Sequence, residues 1–146
     1  MIKNSEKVRE FQNADWPQDE RGKKGEVIEL HFTDLNPSSQ ETAKMLKFGY
    51  ANNIGVRRHQ QRMQDQLRLI KEKPVEEMEP AILIKYNDGY KIMEGWHRMF
   101  NYLLMGAPPE EAAAIMDGSM SPHQANYGQW KSVKVNAIIG IPKNQH

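Results

Sequence analysis

Between Glu26 and Phe32 the chain alternates, with Val27, Glu29 and His31 set against Ile28, Leu30 and Phe32. That is the period of a half-buried strand, and Ile28, Leu30 and Phe32 are its apolar face. The Asp34-Leu35-Asn36-Pro37-Ser38-Ser39 cluster predicts a turn, with Ser38 or Ser39 capping a helix through Glu41, Lys44, Met45 and Phe48 that Gly49 ends. From Val56 to Lys73, Val56, Met63, Leu67 and Ile70 form a stripe at helical spacing, closed by Pro74. An apolar run, Ala81 to Tyr86, then meets an Asn87-Asp88-Gly89 turn and a second run, Tyr90 to Met93. This predicts a hairpin, and Glu94 to Arg98 follow it directly into an amphipathic helix, Trp96 to Met105, that buries Phe100, Leu103 and Leu104. Pro109 to Met116 predicts a short helix, Pro122 to Tyr127 a further turn, and Val133 to Ile141 a closing strand.

The order strand, helix, helix, hairpin, helix, short helix, strand predicts an α+β fold with a mixed β-sheet and flanking helices. At 146 residues the chain suits one domain. Residues 1–25 are a polar arm with Val8, Phe11 and Trp16 as spaced anchors and a short helix near Ser5 to Asn13, and residues 26–146 are the domain. Twenty basic and 19 acidic residues leave a net charge of +1, so any attraction for an anion has to be local. The lack of cysteine removes disulfides, thiolate metal sites and thiol nucleophiles together. No apolar run approaches a membrane span or a signal-peptide core, so a cytoplasmic protein without a membrane partner is expected.

Glu94-Gly95-Trp96-His97-Arg98 puts an acid, a glycine, an indole, an imidazole and a guanidinium within one turn at a predicted helix start. The first N–H groups of a helix lack intrahelical acceptors and sit at the positive end of its dipole, which attracts phosphate. Gly95 would let backbone approach a ligand, the amides from Trp96 onward would face it, and Arg98 could fork onto its oxygens. His97 could donate or shuttle a proton, and Glu94 could act as a base or hold a metal. The same residues also admit plain packing, with Trp96 in the core, Arg98 paired to Glu94 or a neighbouring acid and His97 in solvent.

The run Tyr90 to Arg98, followed by an apolar helix ending at Gly106, resembles the central box of the ParB/sulfiredoxin-like superfamily. The resemblance extends from about residue 26 to 141 in order, and only the box is specific. It implies a nucleotide or phosphorylated small molecule bound at Gly95, Trp96, His97 and Arg98. Trp96 stands where sulfiredoxins carry their cysteine, which excludes that activity. The chain ends at His146 soon after its last strand, so the helix-turn-helix reader of partitioning ParB proteins is not expected. The superfamily's free serine kinases carry Asp-Gly-x-His-Arg, which Glu94, Gly95, His97 and Arg98 match with Glu for Asp. Phosphoryl transfer or nucleotide hydrolysis is the implied activity, with Glu94 and His97 catalytic, Glu94 holding Mg²⁺, and a nucleoside triphosphate or diphosphate bound. Asp34 and Glu41 are the nearest candidates for a second acid. The stretch at about 107–132 is an insertion relative to the family, open to roles as lid, partner surface or packing.

Arg58 and Arg62 lie one turn apart on the predicted Val56 to Lys73 helix, with Arg57, Gln61 and Arg68 on a neighbouring face. They could clamp a triphosphate or track a nucleic-acid backbone. Two alternatives therefore accompany the nucleotide-binding expectation: a nucleic-acid-binding or nuclease-like accessory module, and a non-catalytic protein-interaction domain on the same scaffold. His31 and His59 read as surface histidines, and Trp16, Trp130 and Tyr127 as anchors of the arm and the insertion.

Overall fold

A computed structural model describes residues 2–17, 25–46 and 72–143. Its helices are α1 (Ile2–Gln12), α2 (Pro37–Lys44), α3 (Trp96–Leu104) and α4 (Pro109–Asp117). Its strands are β1 (Ala14–Asp15), β2 (Glu26–Leu30), β3 (Ala81–Tyr86), β4 (Gly89–Glu94) and β5 (Val133–Pro142). The fold is α+β on a mixed sheet, and the Val56 to Lys73 helix predicted from sequence lies outside the described residues.

β5, the closing strand, is the centre of the sheet. β3 runs parallel to it on one side, while β2 and β1 pair antiparallel with successive parts of its other side. β4 completes the β3 hairpin at the outer edge. Val135, Ala137 and Ile139 alternate along β5 onto one buried face, where Leu83, Ile92, Phe100 and Leu103 meet them in the main core. The opposite face carries Ile82, Ile84 and Met93, and Phe11, Ala14 and Trp16 of the N-terminal arm pack over it. Gly140 makes room for the arm, since a Cβ there would stand 2.8 Å from the Trp16 ring.

Three local features differ from the sequence expectation. β2 stops at Leu30 because His31 caps a 3₁₀ turn at Phe32–Asp34, its Nδ1 accepting from the Thr33 N–H at 3.1 Å. Nε2 is then the protonated nitrogen and donates to the Trp130 carbonyl at 2.8 Å, which gives this histidine a structural task. Asn36, rather than a serine, caps α2, accepting from the Ser39 N–H at 3.0 Å with Pro37 at the first helical position. The third is a register shift in the hairpin: Ile82 faces Glu94 and Leu83 faces Ile92, so Met93 is an extra residue. Strict alternation would put Lys91 and Glu94 on opposite faces, whereas the bulge puts both on the face covered by the arm.

The 107–132 stretch is built into the core. Tyr127 stacks on Phe32 with centroids 3.6 Å apart, and Trp130 meets both Phe32 and Phe100 edge-on at 6.1 Å. Glu111 of α4 holds this corner, accepting from the Trp130 indole N–H and the Asn126 N–H, each at 2.9 Å. Among the described residues no helix is long and apolar enough to cross a membrane.

Candidate functional site

The box sits where β4 hands the chain to α3. Gly95 makes the bend in the left-handed region, φ 89° and ψ 34°, which an L side chain adopts only with strain. A Cβ on it would also come within 3.2 Å of the Ala81 methyl and 3.3 Å of Arg98 Nη1. The turn is therefore both left-handed and close-packed. Gly95 lends its carbonyl to the Met99 N–H at 2.8 Å but brings no side-chain acceptor to the N–H groups of Trp96, His97 and Arg98.

Arg98 folds back toward the segment before β3. Its Nη2 donates to Glu79 Oε2 at 3.0 Å and its Nη1 to the Pro80 carbonyl at 3.4 Å. The pair is lopsided, because the Arg98 side chain is 20% exposed and that of Glu79 78%. A carboxylate so far into water holds its partner weakly, at well under about 1 kcal/mol net. One turn later, Tyr102 is buried, and its hydroxyl has no hydrogen-bond partner among the described residues. Burial pushes the Tyr102 phenol up, and the Arg98 charge partly opposes that.

Glu94 points to the other side, toward the arm, where Lys7 Nζ donates to it at 3.2 Å. Its side chain is 56% exposed, the setting of a solvated, paired acid. A Mg²⁺ held by Glu94 would first have to displace Lys7, with one protein carboxylate and the ligand's phosphates then supplying the coordination. Among the described residues no three His, Asp or Glu side chains converge as a metal cage. Trp96 is partly buried against the main core, as plain packing would have it.

The structure does not bring Asp34 to the box. Leu35 bridges Tyr90, next to the first residue of β4, so Asp34 lies near the opposite end of that strand from Glu94. Five strand steps separate those ends by roughly 17 Å. Asp34 is engaged locally, accepting from the His31 N–H at 2.8 Å, and Glu41 pairs with Lys44 on exposed α2. Arg57, Arg58, Arg62 and Arg68 lie outside the described residues, as does the His97 side chain.

Sequence reading missed the contribution of α1. Glu10 accepts from the Tyr86 hydroxyl at 2.7 Å and from Lys91 Nζ at 2.5 Å, across separations of 76 and 81 residues that no local pattern announces. Together with Lys7 and Glu94 these contacts match a cation and an anion on α1 with an anion and a cation on β4. No protein-family model, no curated protein and no solved structure matches the chain.

Proposed function

We propose that the chain is a ParB/sulfiredoxin-like domain that binds a phosphorylated small molecule, a nucleotide foremost, at the start of α3. The observation that carries this reading is the left-handed Gly95 turn, which leads into helix amides with no capping side chain beside a guanidinium held only by a solvent-exposed acid. A phosphate there takes N–H groups at the positive end of a nine-residue helix and draws Arg98 off Glu79 into a forked, charge-assisted contact. Glu79 then returns to water at little expense, since most of its side chain is already there. The exposure of Glu94 and its pairing with Lys7 favour binding over turnover, because a general base works best where burial and neighbours tune it.

A second reading has its own support. Both charged members of the box whose side chains are described, Glu94 and Arg98, already have ionic partners within the chain, as a scaffold kept for protein contact would arrange them. A thermal-shift series separates the two, using nucleoside mono-, di- and triphosphates with and without Mg²⁺. A ligand bound only by the native state raises the melting temperature, and the rise grows with the logarithm of its concentration above Kd. The phosphate reading expects a dose-dependent rise with at least one nucleotide, and the scaffold reading expects none.

A further inference from the structure

The structure contains an open cleft of about 410 Å³, away from the Gly95 turn. It lies between α1, the β3–β4 turn and the start of α2, with Glu10, Asn36, Tyr86, Asn87, Asp88 and Lys91 in its lining. We propose that this cleft binds a small, uncharged polyhydroxylated molecule of the size of a monosaccharide or cyclic polyol. The inference does not depend on the phosphate site, which lies at the other end of β4.

Charge comes first. Glu10 and Lys91 neutralise each other at 2.5 Å, and the Tyr86 hydroxyl takes the second Glu10 oxygen. What remains is the Asp88 carboxylate, exposed at the turn and without a hydrogen bond or ion pair among the described residues. An anion entering the cleft is repelled by Asp88, and a cation, which can only donate, leaves the N–H donors of the wall without acceptors.

Hydrogen-bonding capacity comes next. Asn36 is 6% exposed and spends its Oδ1 on the Ser38 hydroxyl and the Ser39 N–H, which leaves its Nδ2 as a donor in the lining. Asn87 offers a further amide, and Lys91 has N–H groups beyond the one given to Glu10. The wall therefore mixes donors with the free carboxylate acceptor of Asp88. A hydroxyl group both donates and accepts, so adjacent hydroxyls on one ring can give protons to Asp88 while taking them from Asn36, Asn87 or Lys91. The volume falls toward the small end of ligand sites, which suits one ring.

The test is amide NMR of the full chain titrated to high millimolar levels with D-glucose, D-ribose and myo-inositol, with inorganic phosphate and methylammonium as charged controls. At least one polyol should give saturable shifts at the Asn36 and Asn87 side-chain amides and the Asp88 N–H. Asp88→Ala, at an exposed turn position, should keep the wild-type melting temperature and weaken that affinity about tenfold, the ratio corresponding to about 1.4 kcal/mol. No saturable shift with any of the three polyols, an unchanged affinity in Asp88→Ala, or tighter binding of phosphate or methylammonium at these residues would each overturn the proposal.

Discussion

Ser39 Oγ accepts the Ile92 N–H at 3.0 Å in the buried seam between α2 and β4. β4 is the last strand on its side of the sheet, and an outer strand ordinarily presents unpaired backbone to solvent or to other chains. Here the start of α2 closes that edge. The Asn36 N–H donates to the Tyr90 carbonyl at 2.8 Å, and Ser39 takes the next inward donor along the strand. Gly89 permits the approach: it holds φ at 129°, and a Cβ on it would sit 2.7 Å from the Asp34 carbonyl oxygen.

Ser39→Ala should therefore strand a buried N–H and destabilise the fold by about 1–3 kcal/mol. Ser38→Ala, one position earlier and exposed, should stay within about 0.5 kcal/mol of wild type. Urea unfolding of the two variants makes the comparison, and equal midpoints would contradict the edge-closing role of Ser39.

The hairpin, the Gly95 turn, α3 and the closing strand were legible because their causes are local: period-two alternation, a turn tripeptide, and glycine at the one left-handed position between strand and helix. The Asn36-Pro37 cap was equally local, and its signature was there to read ahead of the serines. Other features were hidden by distance along the chain. Lys7 meets Glu94 across 87 residues and Glu10 meets Lys91 across 81, and the Met93 bulge that puts those two β4 residues on one face leaves no mark in the alternation. Arg98 does pair with an acid, but that acid is Glu79, in the segment leading into β3, while Glu94 turns instead to Lys7. The aromatic stacking of Tyr127 on Phe32 likewise follows from the closed fold, which lays the 107–132 stretch over the β2 end of the core.

The arm should be held by the match of charges between α1 and β4. Lys91→Glu sets two carboxylates against each other and should loosen the arm, while Glu10→Lys in the same chain should restore it with the pair reversed. Each effect is expected near 1 kcal/mol and should shrink with added salt, since these side chains remain partly solvated. Trp16 fluorescence reports the change, because this indole stacks on Phe11 at 5.1 Å and covers Gly140. A double variant no closer to wild type than Lys91→Glu alone would contradict the pairing.

Stability should fall on the alkaline side partly through Tyr127. Burial, and then the nearby Glu111 charge, push its phenol above the ordinary value of 10.0, and its hydroxyl donates to the Pro122 carbonyl at 2.6 Å. The folded state therefore keeps this proton more tightly than the unfolded chain does. The contribution is complete below about pH 10, the unfolded value, and is lost as pH rises from there toward the folded value. Urea unfolding across that range should show a shallower decline in Tyr127→Phe than in wild type, and parallel declines would contradict the assignment.

The central claim, phosphate capture at the Gly95 turn, is tested most directly by calorimetric titration of wild type and Arg98→Ala with the nucleotide that gives the largest thermal shift. Saturable binding by wild type, weakened in Arg98→Ala by about 1–3 kcal/mol, is the predicted result, the scale of a hydrogen bond to a charged group. Equal affinity in the two proteins, or no binding of any nucleotide by wild type, would contradict it.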